Sequence, residues 1–180
     1  MPNAKHYILT SITLGAIAMV SAGAIGLTNM LTNKKIAQNE VDKINYAIVE
    51  LFGESATVAK ESSLEEFGIQ NSYSYLGTVY TVNTGESLYG YGFRTSGSNA
   101  YGKIVLIVGF TVSNNAFVGL NPIVNEQTYA STLVDEYINP VNNNTRDLDD
   151  VACGATFGAK LIESMVNEAK DAMTKINGAV

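Results

Sequence analysis

The chain has 180 residues and a formal net charge of -6 at pH 7, with one Cys and one His. The acidic balance argues against nucleic-acid binding, which needs a basic face. One Cys rules out an intrachain disulfide or a cysteine metal cluster, and the lone His6 leaves no Ser-His-Asp triad, Cys-His pair or histidine-built zinc site, so redox chemistry must come from an added cofactor or be absent.

From Tyr7 to Asn33 no residue is charged, and most are apolar, with Gly, Ala, Ser and Thr between. About 25 such residues suffice to cross a bilayer as a tilted helix. Lys5 and His6 flank one end and Lys34 and Lys35 the other, so charge alone assigns no orientation. Ala22-Gly23-Ala24 offers a small-residue cleavage site, but the apolar run continues past it. The expectation is a short tail over 1–6 and an uncleaved single-pass anchor over 7–31. Its Gly and Ala content suits close helix packing, which points to a membrane partner.

Residues 32–70 read as an amphipathic helix and a connector. Ala37, Val41, Ile44, Ile48 and Leu51 form an apolar stripe that Gly53 ends. Glu54 to Asn71 is polar, with one short helix expected around Leu64 to Phe67. Four strands follow: Tyr73–Val82, Ser87–Thr95, Tyr101–Val112 and Ala116–Val124, separated by Asn83-Thr84-Gly85, Ser96-Gly97-Ser98-Asn99 and Ser113-Asn114-Asn115. The unbroken run Ile104 to Phe110 predicts a central strand buried on both faces. The order is an antiparallel meander, not βαβ. Ser131 to Ile138 reads as a short helix closed by Pro140. Tyr73, Tyr75, Tyr80, Tyr89, Tyr91, Phe93 and Tyr101 are each ordinary strand aromatics or candidates to flank a flat ring.

The last element is the most informative. Ile162, Val166, Ala169, Met173 and Ile176 step by four and three, widened by Leu161 and Met165, and predict a helix over Phe157 to Ile176. Asp149 and Asp150 precede it, where carboxylates favour the positive end of a helix dipole. Thr156 falls at or near the first turn, crowded only by Gly154 and Ala155. Amides there lack helical partners and suit a phosphate, so a hydroxyl at that point is a candidate for a phosphoester. It is equally a candidate helix cap.

Asp150-Val151-Ala152-Cys153-Gly154-Ala155-Thr156 resembles the flavinylation motif Asp-x-x-Ser/Thr-Gly-Ala-Thr of the FMN-binding domain family, with Cys153 at the usual hydroxyl position and Phe157 where small hydroxyl residues are frequent. That family includes the RnfG component of the Rnf electron-transport complex and its counterpart in the sodium-pumping NADH:quinone reductase. Tyr101-Gly102-Lys103-Ile104 and Val108-Gly109-Phe110 also match the family order, and Asn125 to Ala130 takes the place of its Glu-Thr-Pro-Gly-Leu-Gly loop without the Pro-Gly-Leu-Gly part.

The resemblance implies an α+β fold: a transmembrane helix, then an antiparallel-sheet FMN-binding domain over 71–180 with flanking helices. It implies FMN esterified to Thr156 by a separate flavin transferase, with Asp150, Cys153, Gly154, Ala155, Tyr101, Glu126 and Thr128 as further cofactor-binding candidates. It also implies other membrane subunits as partners and an extracytoplasmic domain on the cell membrane. The activity would be electron transfer within an Rnf-type ferredoxin:NAD oxidoreductase coupled to ion translocation, with no stand-alone catalysis and no metal site. Two other readings stay open: a cofactor-free anchored binding or assembly module, and a flavinylated carrier in a separate extracellular route.

Overall fold

A computed structural model describes residues 4–69 and 73–178. Two compact units divide the chain, one ending at Asp42 and one beginning at Lys43. Helix α1 (Ala4–Phe52) supplies the first as far as Asp42 and gives its last turns to the second; from Tyr7 onward it is long and apolar enough to cross a membrane. Ile8, Leu9, Leu14, Met19 and Val20 all expose their side chains. The Thr13 and Thr28 hydroxyls donate to the carbonyls of Leu9 and Ala24, both at 2.8 Å, so neither presents an unpaired polar group to an apolar surround. The helix begins at Ala4, inside the predicted tail, whose residues 1–3 lie outside the described residues.

The second unit is a five-stranded antiparallel meander in sequential order: β1 (Ala56–Ser63), β2 (Leu76–Thr84), β3 (Ser87–Asn99), β4 (Gly102–Thr111) and β5 (Phe117–Asn125). A short 3-10 helix, Leu64–Phe67, follows β1 as the sequence predicts. Strand β4 is covered on both sides because its apolar residues alternate between two cores. Val105 and Ile107 meet Ile44, Ala47 and Ile48 from the last turns of α1. Ile104, Leu106, Val108 and Phe110 meet the apolar stripe of the C-terminal helix, α4 (Thr156–Gly178), together with Leu133, Tyr137 and Ile138. Burying side chains of this size contributes about 1.5–3 kcal/mol each. The architecture is the expected α+β.

Three expectations need correction. The connector predicted over Glu54–Asn71 holds strand β1, paired from Ala56↔Thr84 to Ser63↔Thr78, so the sheet starts well before the predicted boundary at 70–71, which itself lies outside the described residues. Ser96 to Asn99 is not a loop: it extends β3, and the turn shrinks to Ala100 and Tyr101. The segment around Pro140 does not stop there. Helix α2 (Ala130–Leu133) passes through a π-helical turn, Val134–Ile138, into α3 (Asn139–Asn142). The wider turn takes the Asn139 N–H to Val134 O and loosens the backbone where a proline ring would otherwise meet the preceding turn.

The segment before β2 is clamped to α4. Glu168 accepts the Ser74 and Tyr75 amides at 3.0 and 2.8 Å, and Tyr73 donates its phenol to Asp171 at 2.6 Å. Lys175 lies 2.8 Å from Asp171 and donates to the Tyr73 oxygen at 2.9 Å. Hydrogen bonds from Lys175, then Tyr73, hold the Asp171 carboxyl below its ordinary value. A lowered carboxyl stabilises the fold above its unfolded value near 3.8, and that contribution disappears as pH falls through the folded value. Asp171→Asn should therefore lower the urea midpoint at pH 7, with the gap to the unsubstituted protein narrowing progressively as pH falls below 3.8.

Candidate functional site

Three separate segments meet at the start of α4. The first is the β3–β4 turn, where the Tyr101 N–H donates to Asn99 Oδ1 at 2.8 Å. The second is the loop after β5, folded back onto that turn by Glu126 N–H to Lys103 O at 2.9 Å and Thr128 N–H to Tyr101 O at 2.8 Å. The third is the loop 151–155 that leads into α4. Gln127, only 7% exposed, ties them together. Its Nε2 donates to Asn99 Oδ1 at 3.1 Å and to the Gly102 carbonyl, while Asn99 Nδ2 donates to the Phe157 carbonyl at 3.1 Å. A buried amide with its donors satisfied fixes three backbones at once.

These segments enclose an open pocket of about 240 Å³ lined by Tyr101, Gln127, Tyr129 and Gly154 to Gly158. Thr156 is half-buried in its wall as the first residue of α4. Its hydroxyl donates to Cys153 O at 2.6 Å. A capping hydroxyl would accept an amide of the following turn. This one points back to the loop instead, so the amides of Thr156, Phe157 and Gly158 keep their place as first-turn donors with no partner inside the helix. Gly158 lets α4 approach α2, since a Cβ there would lie 2.8 Å from the Leu133 side chain.

The other predicted residues divide. Tyr101, Gly154 and Ala155 share the pocket with Thr156. Cys153 is half-buried against the core and offers Thr156 its carbonyl. Asp150 is not a helix cap: its Oδ1 accepts the Ala152 N–H at 3.4 Å, and Arg146 donates to the carbonyls of Asp150 and Ala152 at 3.0 and 3.2 Å. It shapes the loop, and its carboxylate partners are Ala152 and Arg146 and not a helix amide. Glu126 and Thr128 are exposed and outside the pocket lining; their amides bond the loop to the turn, and the Thr128 hydroxyl also donates to the Tyr101 carbonyl at 3.2 Å. Of the seven-residue aromatic set only Tyr101 lines the pocket; Tyr80, Tyr91 and Phe93 are buried in the cores.

Three participants escape sequence reasoning. Phe157 stacks on Tyr101 with centroids 5.4 Å apart and planes 29° apart, and Tyr129 lies 6.1 Å from Tyr101. Glu136, carried by the π-helical turn, accepts the Gly154 N–H at 2.7 Å. Burial raises the phenol pKa of the adjacent Tyr137 well above its ordinary value, and the protonated hydroxyl donates to the Leu148 carbonyl, pinning that turn to the loop.

Residues 1–47 match the family model of the RnfG N-terminal region. The chain resembles the RnfG component of the Rnf complex. The match takes in α1 from Ala4 to Ala47 and supports an Rnf-type electron-transfer subunit at that coarse level; among the described residues α1 is the one helix long and apolar enough to span a membrane. The RnfG match ends before the sheet and the pocket, so these are read from their own geometry. Among curated proteins none matches the chain.

Proposed function

We propose that this protein is the membrane-anchored electron carrier of an Rnf-type complex, with FMN joined through its phosphate to Thr156 and the sheet domain on the extracytoplasmic side. The complex would couple ferredoxin oxidation and NAD reduction to ion movement. The observation that carries the reading is the Thr156 hydroxyl: half-exposed, free of capping duty, at a helix N-terminus and in a pocket wall. In the attachment, performed by a separate transferase, the Thr156 Oγ–phosphorus bond forms as the pyrophosphate bond of FAD breaks. AMP leaves, and the hydroxyl proton goes to the transferase.

The residues fit the group. First-turn amides of α4 suit the phosphate. The pocket, about 240 Å³, is smaller than the roughly 300–1,000 Å³ that encloses a drug-sized ligand, so part of a flavin would stay open to a redox partner. A covalent link prevents loss from so open a site. Bound there, FMN supplies the reversible uptake and release of electrons that no side chain of this protein offers.

Glu136 opposes the incoming phosphate, because its carboxylate already holds the Gly154 amide. Glu136→Gln should speed flavin attachment about fivefold at low salt, with the gain shrinking as salt rises. Time courses of in-gel fluorescence with the transferase measure it. The function itself is tested on the full chain produced with a flavin transferase and purified in detergent. Absorbance near about 450 nm that survives denaturation supports it. A colourless protein favours the cofactor-free binding module instead.

A further inference from the structure

We propose that Tyr101, Tyr129 and Phe157 form the docking face for the flat ring tethered at Thr156, an inference that rests on the flavin reading above. The three rings are 38%, 52% and 63% exposed, and they come from three different segments. A large apolar side chain that stays in water singly is unremarkable, whereas several converging on one concavity mark a binding surface. All three line the pocket that contains Thr156. Phe157 is the residue next to Thr156 in the first turn of α4, and it belongs to neither buried core.

The backbone beneath each ring is fixed. The Phe157 carbonyl is held by Asn99, the Tyr101 carbonyl by the Thr128 amide, and Tyr129 follows the buried Gln127 by two residues. The face is therefore preorganised, which lowers the ordering cost of docking. Tyr101 and Phe157, with centroids 5.4 Å apart, already touch, so no third ring enters between them. The tethered ring lies against their open sides instead, in the offset or edge geometry that aromatic pairs prefer. Two of the three rings are phenols, which quench an excited flavin by donating an electron to it. The docked ring is thus both immobile and dim.

The test uses the full chain made with its transferase, in detergent, and reads attachment separately from docking. Attachment is read from intact mass, as an addition of about 438 Da. Docking is read from flavin fluorescence yield and anisotropy decay. In the unsubstituted protein the ring should tumble with the domain and fluoresce weakly. Phe157→Ala and Tyr101→Ala should keep the added mass, brighten, and show a fast anisotropy component as the docked-to-free ratio falls about 2- to 10-fold. Tyr101→Phe preserves the ring face and the fold, so it should keep the slow decay while brightening in part. An attached ring that moves freely in the unsubstituted protein, or variants whose yield and decay match it, would overturn the docking face while leaving the flavin reading intact. Absence of the added mass from the unsubstituted protein would overturn both.

Discussion

Thr156→Ala is expected to abolish covalent flavin while leaving the domain folded. The ester needs an oxygen at this position, and alanine removes it. The hydroxyl makes one hydrogen bond, to the Cys153 carbonyl, and caps no helix amide. Its loss should cost no more than about 1 kcal/mol, the net value of a typical intramolecular hydrogen bond. Apolar residues from Ala159 to Ile176 seat α4 on the sheet independently of Thr156. In-gel flavin fluorescence should vanish while the melting temperature barely moves. Thr156→Ser keeps the oxygen and should retain a fluorescent band. Fluorescence persisting in the alanine variant would put the flavin elsewhere.

Gly102→Ala should be the most damaging small substitution near the pocket. Gly102 adopts φ +135°, where side chains are strained, and a Cβ there would sit 2.1 Å from the Glu126 carbonyl oxygen and 2.7 Å from its carbon. Both are backbone atoms and cannot rotate aside. The β3–β4 turn and the loop after β5 would have to separate, breaking the Gln127 bond to the Gly102 carbonyl and straining the Thr128 bond to Tyr101. Backbone strain and a lost buried hydrogen bond together predict a loss of about 3 kcal/mol. Urea unfolding of the full chain in detergent measures it, and a midpoint unchanged from the parent would contradict the packing described.

The parts of the fold that are legible in the sequence are those whose apolar spacing is long and regular. Ile162, Val166, Ala169, Met173 and Ile176 are all buried on one face of α4, and the run Ile104 to Phe110 is covered on both sides of the sheet. Strand β1 is not legible, because an edge strand paired on one side only needs few apolar residues, and Ala56 to Ser63 buries just Ala56 and Ser62. The stripe Ala37, Val41, Ile44, Ile48, Leu51 over-reads its helix: Val41 remains 48% exposed and burial starts at Ile44. Pro140 reads as a stop because a π-helical turn leaves no periodic mark in a sequence.

For the site, Thr156 and its neighbours are legible from one short contiguous motif. Most residues around it are not, since Asn99, Gln127 and Glu136 lie far from Thr156 in the chain and reach the site only through tertiary folding, while the neighbouring Phe157 finds its partner Tyr101 the same way. Asp150 falls in the loop before α4, as its place in the motif implies, but its partner is not a helix amide. Its carboxylate turns to Ala152 because the Asx geometry closes within two residues, before the helix begins.

The most direct measurement is peptide-level mass mapping of the protein purified from cells that also produce a flavin transferase. An addition of about 438 Da on the peptide containing Thr156, and on no other, is the predicted result. That peptide found only at its unmodified mass, in cells where the transferase is active, or the addition found on a peptide lacking Thr156, would contradict the account.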